Sequence, residues 1–203
     1  MKAAQTAVIL IEFQNEFCKE AGKLYGAAKG ELARNGTIAH AVRLLKGARE
    51  KGCLVVHCPF VFDEAWAQAR CVCGIIAGAK EGGAFRPGDW GTRFIDELQP
   101  AAGEVVLTGK HALSAFTNTQ LARVLEEGGI RHVACAGFLT NVCVESTARS
   151  AYDRGYGVTI VRDACCATSQ ANQQYVEREI APVLGGAMSV EELLASLEQE
   201  NEP

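Results

Sequence analysis

Short apolar runs of strand length recur along this chain, and they constrain its fold more than any other feature. They are continuous rather than alternating, each is bounded by Gly, Pro or a charged residue, and they lie at residues 7–11, 54–58, 105–107, 132–136 and 158–161. Strands that are apolar throughout are typical of parallel sheets, in which both faces are buried. The pattern therefore predicts a parallel sheet covered by helices on both sides.

Helical patterns alternate with these runs. Apolar residues recur at helical spacing in 38–51, 121–127 and 143–154, and residues 92–98 have a helix-like pattern within a long connection. Near the carboxyl end, Ala187 and Met188 predict a short sixth strand, and Ser189 with Glu192 forms a capping-box pattern for a last helix. Alternating strands and helices predict an α/β fold of three layers, α/β/α, with right-handed crossovers.

The chain has 203 residues, and no Gly/Ser-rich or Pro-rich linker divides it. This length favours one domain over two, so we expect residues 1–203 to form a single domain. The connection at about 59–103 is unusually long. Long connections within compact domains usually carry function, so we expect it to contribute to a substrate loop.

Charge and cysteine usage narrow the functional classes. The formal net charge is −4 without long blocks of one sign, which argues against nucleic acid and anionic membranes as partners and favours a small molecule. The apolar stretch before Glu12 is too short for a signal peptide or a membrane span, so we expect a cytoplasmic protein. The nine cysteines include no Cys-x-x-Cys pair, and most are expected to be reduced and buried.

Three reactive side chains follow strands of the predicted sheet. Glu12 follows the first run, Lys110 follows the third, and Cys143 follows the fourth in a segment that begins a helix. Ligands of open parallel sheets bind at the carboxyl ends of the strands, so these groups are expected to converge. A helix start favours a thiolate, which predicts an ionised Cys143. The alternative is that Cys143 is one more packing cysteine and Lys110 a solvated lysine.

Four segments of the sequence give a more specific indication of the protein's class. AVILIEFQNEF (7–17), LTGKHALSAFTNTQL (107–121) and GFLTNVCVESTARSAYDRGYGVTIVRDACCAT (137–168), together with FRPGDWGTRFIDEL (85–98), resemble the isochorismatase-like cysteine hydrolases. The resemblance covers most of the chain. It implies a three-layer fold with a six-stranded parallel sheet in the order 3-2-1-4-5-6, a homo-oligomer, and a catalytic triad made of Glu12, Lys110 and Cys143.

The same resemblance implies further details of the site. The backbone N–H groups of Leu139 and Cys143 would form an oxyanion hole, next to a cis peptide bond between Phe138 and Leu139. One position departs from the family, which normally has Asp where this chain has Glu12, and Glu16 departs in the same way. A shift on the order of 1 Å can cost a hundredfold in rate, so the longer side chain bears directly on activity.

Three functions are compatible with these residues. The leading hypothesis is a cysteine-dependent amidohydrolase that cleaves a C–N bond of a small amide or ureide through a thioester. One alternative is hydrolysis of the vinyl ether of isochorismate, which needs no thiol nucleophile. The other is a catalytically impaired metabolite-binding relative, in which Glu12 in place of Asp has silenced the triad.

Several residues are candidates for the substrate pocket, and no cofactor or metal is expected. The pocket candidates are Gln14, Phe17, Trp66, Phe85 and Trp90.

The metal-binding nicotinamidase branch carries an Asp-x-His and further histidines after the second strand, where this chain reads His57-Cys58-Pro59-Phe60. A zinc site from His57, Cys58, Cys71 and Cys73 is disfavoured because they lack Cys-x-x-Cys spacing.

Overall fold

The computed structural model describes residues 1–64, 66 and 72–198, and within them the strands form one parallel sheet. The strands are β1 (Thr6–Ile11), β2 (Leu54–Cys58), β3 (Val105–Val106), β4 (His132–Phe138), β5 (Gly157–Cys166) and β6 (Ala187–Met188). Their order across the sheet is β3-β2-β1-β4-β5-β6, and all neighbours are parallel. This confirms the fold class and the strand order expected from the sequence.

The helices of the described residues lie on the two faces of this sheet. They are α1 (Asn15–Cys18), α2 (Tyr25–Asn35), α3 (Thr37–Lys51), α4 (Gly74–Glu81), α5 (Leu121–Glu127), α6 (Glu145–Tyr152), α7 (Gln170–Tyr175), α8 (Ala181–Leu184) and α9 (Val190–Ser196). None of these helices is long and apolar enough to cross a lipid bilayer.

The helix-like pattern at 92–98 gave a wrong prediction. This segment contains two separate 3-10 turns, Trp90–Thr92 and Asp96–Leu98, rather than one helix. Between the turns, the Arg93 carbonyl accepts a hydrogen bond from Asn15 N–H at 2.9 Å, and Phe94 forms an isolated bridge with Gln14. These contacts tie the segment to the chain that follows β1 and interrupt the helix.

Strand β1 shows why its sequence is apolar throughout. Val8 and Leu10 point to one face of the sheet, where the core includes residues of α2, α3 and α9. Ile9 and Ile11 point to the other face, against residues of α5, α6 and α8. All four are at most 1% exposed. Each fully buried aliphatic side chain contributes about 1.5–3 kcal/mol, so this central strand stabilises both halves of the core.

Strand β5 is longer than its apolar run because charged residues inside it find partners. Arg162 pairs with Glu192 at 2.7 Å, and Asp163 pairs with His40 at 2.8 Å. The Asp163 carboxylate also accepts a hydrogen bond from Val190 N–H at 2.9 Å, at the start of α9. The apolar pattern predicts that this strand ends at residue 161. Partners from other elements allow the strand to continue beyond that residue.

A glycine allows the backbones of β1 and β4 to approach each other closely near the carboxyl edge of the sheet. Gly137 of β4 is paired with Ile11 of β1 and has a φ of 130°. A Cβ atom at this position would lie 1.9 Å from the Ile11 carbonyl oxygen. Only glycine fits here, because the obstructing atom belongs to the backbone of a central strand and cannot move away.

We expect Gly137→Ala to lower the free energy of unfolding by more than about 3 kcal/mol, because strain and a backbone clash coincide there. The matched control is Gly30→Ala in α2, where an added Cβ meets nothing within 4 Å. Alanine is the better helix former, so that variant should be neutral or more stable by up to about 1 kcal/mol. Urea denaturation measures both, and equal stabilities would contradict the account of this strand pair.

Candidate active site

Glu12 lies directly after β1, where the chain turns sharply. Its N–H donates to the Cys58 carbonyl at 2.9 Å, which extends the ladder with β2 by one residue. Its φ is 58°, a left-handed conformation that is uncommon for a residue other than glycine. The Glu12 carbonyl then accepts from Gln14 N–H at 2.7 Å. The turn leaves the Glu12 side chain only 2% exposed at the carboxyl edge of the sheet.

Lys110 reaches Glu12 from the loop that follows β3. Its Nζ donates to Glu12 Oε1 at 2.5 Å, and both side chains are almost completely buried. The ammonium also lies 4.6 Å from the centroid of the Phe60 ring, a favourable cation–π geometry. Burial lowers the pKa of Lys110, but the Cys143 sulfur, when ionised, and the Glu12 carboxylate raise it, and the net shift is upward. The amine therefore stays protonated.

Cys143 lies in a wide helical turn, Thr140–Val144, that connects β4 to α6. Its Sγ is 3.8 Å from Lys110 Nζ, the same ammonium that bonds to Glu12. Thr147 fixes the turn, because its hydroxyl donates to the Cys143 carbonyl at 2.7 Å and accepts from Ala115 N–H at 2.9 Å. The structure thus brings Glu12, Lys110 and Cys143 together.

The resting protonation state of Cys143 differs from the expectation. Burial raises the pKa of the thiol well above its usual range, the Glu12 carboxylate raises it further, and Lys110 lowers it only in part. The prediction of a resting thiolate is therefore wrong. The helix start and the Lys110 ammonium favour the thiolate, but desolvation and the adjacent Glu12 charge disfavour it more strongly. The site instead holds a neutral thiol beside the Glu12 carboxylate.

The segment before Cys143 carries the backbone groups assigned to the oxyanion hole. The peptide bond between Phe138 and Leu139 is cis. The Leu139 carbonyl accepts hydrogen bonds from Val142 N–H at 2.9 Å and from Val144 N–H at 3.2 Å. Leu139 and Cys143 both line the same cavity.

A cavity of about 290 Å³ opens onto the sulfur. Glu12 and Cys143 lie in its wall, so a molecule that enters it reaches both groups. Most of the remaining wall is apolar and comes from α1, the beginning of α2, α4 and the connection after β2; it includes Phe17, Leu24, Ala27, Phe60, Ile76, Ala79 and Phe85. A concave site of this size with few convergent polar groups is typical of small-molecule binding.

Two of the predicted pocket residues line this cavity, namely Phe17 and Phe85. Gln14, Trp66 and Trp90 do not. Gln14 holds the backbone instead, because its amide accepts from Phe60 N–H at 2.7 Å and donates to the carbonyls of Phe60 and Thr92.

The two tryptophans lie in different surroundings. Trp66 packs on Phe60 and Phe62 and donates from Nε1 to the Val61 carbonyl at 2.9 Å. Trp90 is 45% exposed. Aromatic residues of a loop can serve either the core or a pocket, and sequence alone does not separate the two roles.

Sequence reasoning gave no role to Glu16, which organises one wall of the cavity. This carboxylate is 3% exposed and accepts hydrogen bonds from Phe85 N–H at 2.9 Å and Lys23 N–H at 3.0 Å. A Cβ atom at Gly91 would lie 2.6 Å from its Oε2. Glu16 thus anchors the loop that carries Phe85. The only sequence signal was its place four residues after Glu12.

No cluster of three or more His, Cys, Asp or Glu side chains in the described part of the chain is arranged to hold a metal ion. Of the disfavoured zinc set, Cys71 lies outside the described residues. His57 is bonded through Nε2 to Glu104 at 2.8 Å, and Cys58 is fully buried in the core. His57 and Cys58 are therefore occupied by contacts within the fold.

Comparisons with known proteins place this chain among related sequences. A family model described as the isochorismatase domain matches residues 6–192. A ureidoacrylate amidohydrolase of Serratia proteamaculans is 33% identical over 190 residues, covering 86% of this chain and 73% of that protein.

Solved structures share the fold over nearly the whole chain. A cysteine hydrolase of Pseudomonas syringae pv. phaseolicola has a TM-score of 0.83 at 24% identity, covering 96% of this chain and 93% of that one. The N-carbamoylsarcosine amidase of Thermoplasma acidophilum has a TM-score of 0.69 at 27% identity, covering 99% of this chain and 100% of that one.

Replacing Glu12 by Gln should lower the pKa of the Cys143 thiol, because the variant removes a raising charge and keeps the lowering one on Lys110. Alkylation of Cys143 by iodoacetamide at neutral pH, followed by peptide mass spectrometry, should accelerate at least about threefold. Glu127→Gln is the control, since that exposed carboxylate pairs with Arg123 at the surface. Unchanged or slower alkylation in Glu12→Gln would show that this carboxylate does not set the thiol pKa.

Proposed function

The chain is a hydrolase that belongs to the isochorismatase family, and we propose that it cleaves a C–N bond of a small amide or ureide through a thioester on Cys143. The supporting observation is the buried Lys110–Glu12 pair placed against a thiol that opens into a cavity. The relatives named above as an amidohydrolase and an amidase support the same bond type.

The first step is attack on the substrate carbonyl. As the Cys143 sulfur approaches, its proton passes to the Glu12 carboxylate, the new C–S bond forms, and the carbonyl electron pair moves onto oxygen. The backbone N–H groups of Leu139 and Cys143 are assigned to this oxyanion, since donors placed where charge develops stabilise the transition state. Because the thiol is neutral at rest, this proton transfer is part of the attack rather than a step before it.

The second step releases the amine. The tetrahedral intermediate collapses, the C–N bond breaks, and Glu12 gives its proton to the departing nitrogen. Water then attacks the thioester, Glu12 accepts a proton from it, and the C–S bond breaks. The acid product leaves, and the proton returns to the Cys143 sulfur. Lys110 keeps its proton throughout and holds the carboxylate in position by its hydrogen bond.

The longer acid does not prevent this sequence of steps. The Glu12 carboxylate is bonded to Lys110 at 2.5 Å, and the same Nζ is 3.8 Å from the Cys143 sulfur. The added methylene therefore leaves the Glu12 carboxylate and the Cys143 sulfur against the same ammonium, as a proton transfer between them requires. This observation favours an active enzyme over the metabolite-binding alternative.

Two further expectations belong to this proposal, namely a homo-oligomer and a cytoplasmic location. Exposed apolar side chains on different elements offer surface for contact between copies; they include Tyr152 at 50%, Tyr175 at 52% and Val183 at 64%. Small-zone size exclusion or sedimentation velocity determines the number of subunits.

We expect Cys143→Ala to abolish hydrolysis of amide and ureide substrates while circular dichroism and the thermal midpoint change little. Wild-type enzyme mixed briefly with a slow substrate should carry an acyl adduct on Cys143, which intact-protein mass spectrometry detects. Cleavage of isochorismate that survives in Cys143→Ala would favour the vinyl-ether alternative, since that reaction needs no thiol. Full amide hydrolysis without Cys143 would refute the covalent route.

A further inference from the structure

The walls of the cavity beyond the reactive groups are apolar. In the part of the chain that the structure describes, the polar side chains in the wall are those of Glu12, Cys143 and Thr168. Phe17, Phe60 and Phe85 form a continuous aromatic surface there, with ring centroids 5.1 Å apart for Phe60 and Phe85 and 5.7 Å apart for Phe17 and Phe85. The cavity thus has one polar end and an apolar body.

Two helices complete this apolar body. Leu24 and Ala27 contribute from the start of α2, and Ile75, Ile76 and Ala79 contribute from α4. No residue of α4 is fully buried, and Ile75 is 52% exposed at the cavity rim. An apolar helix face that lines a cavity while staying accessible gains stability when an apolar ligand removes its remaining surface from water.

We propose that the substrate is a neutral primary amide with an apolar acyl group, such as a linear or branched aliphatic carboxamide; this rests on the function proposed above. The carboxamide occupies the polar end, where its nitrogen meets Glu12 and its carbon meets Cys143. The acyl chain extends along the aromatic and aliphatic wall.

The charge distribution argues against a substrate with a carboxylate on that chain. Lys110 is not in the cavity wall, and its ammonium is already bonded to Glu12. Glu12 adds a negative charge to the same cavity. An anion placed among the described wall residues would lose its hydration without gaining a cationic partner, which strongly disfavours binding.

The experiment compares two ligands that differ in one group, hexanamide and the monoamide of adipic acid. The non-hydrolysing Cys143→Ala variant is titrated with each by calorimetry, so the result does not depend on turnover. Hexanamide should bind at least about tenfold more tightly, because the second ligand buries an unpaired carboxylate. Equal affinities, or tighter binding of the acidic ligand, would overturn the proposal.

Wild-type kinetics then separate this inference from the proposed function. Along the series from propanamide to hexanamide, kcat/KM should rise about fourfold for each methylene, the factor for burying one CH₂ group, until the cavity is filled. Hydrolysis that is flat or falls along the series overturns the apolar substrate while leaving the amidohydrolase intact. Tight binding of hexanamide to Cys143→Ala without any wild-type hydrolysis overturns the proposed function and leaves the binding preference.

A charge placed in the wall tests where the acyl chain lies. Ile76→Arg introduces a cation from α4, and it should shift the hexanamide-to-adipic-monoamide preference toward the acidic ligand by at least about tenfold. Val183→Arg is the matched control, since Val183 is 64% exposed on α8 and outside the cavity. An unchanged preference in Ile76→Arg would place the acyl group elsewhere and overturn the proposal.

Discussion

The buried ion pair between Lys110 and Glu12 is the interaction on which the site depends. Removing two charges from water is costly, and such a pair persists only with good geometry and additional partners. Here the ammonium has the carboxylate at 2.5 Å, the Phe60 ring at 4.6 Å and the Cys143 sulfur at 3.8 Å. The pair also joins the end of β1 to the loop after β3, across the intervening strand β2.

The pair determines how the thiol is used. A lone lysine beside a cysteine would favour a resting thiolate, whereas a lysine that is already neutralised by a carboxylate does so only weakly. Burial and the Glu12 charge keep the pKa of Cys143 high, so the sulfur is neutral until a substrate arrives. In the proposed mechanism, the nucleophile is then generated only in the presence of its target. The same low-polarity surroundings form the apolar cavity in which an aliphatic acyl group is expected to bind.

The sequence predicts the strands and the place of the reactive residues correctly where the local apolar pattern and the sheet topology agree. Continuous apolar runs located the strands because both faces of the sheet are buried, and the residues after three of these runs were the three that converge. The cavity wall was not predictable in the same way. Ala27 and Ile76 come from α2 and α4, helices with glycines at 26, 30 and 78 that weaken their patterns. Their role depends on how the connection after β2 folds over the sheet. Gln14 and Trp66 were assigned to the pocket by residue type, and tertiary hydrogen bonds gave them structural roles instead.

In the proposed mechanism, Cys143 is a neutral thiol at rest and Glu12 accepts its proton during attack. Ultraviolet absorbance of the thiolate, titrated against pH as the difference between wild type and Cys143→Ala, tests it most directly. The account predicts no thiolate absorbance from Cys143 at neutral pH and a rise only on the alkaline side of an ordinary cysteine. Full thiolate absorbance at neutral pH would contradict it, because the proton would then have left the sulfur before any substrate is bound.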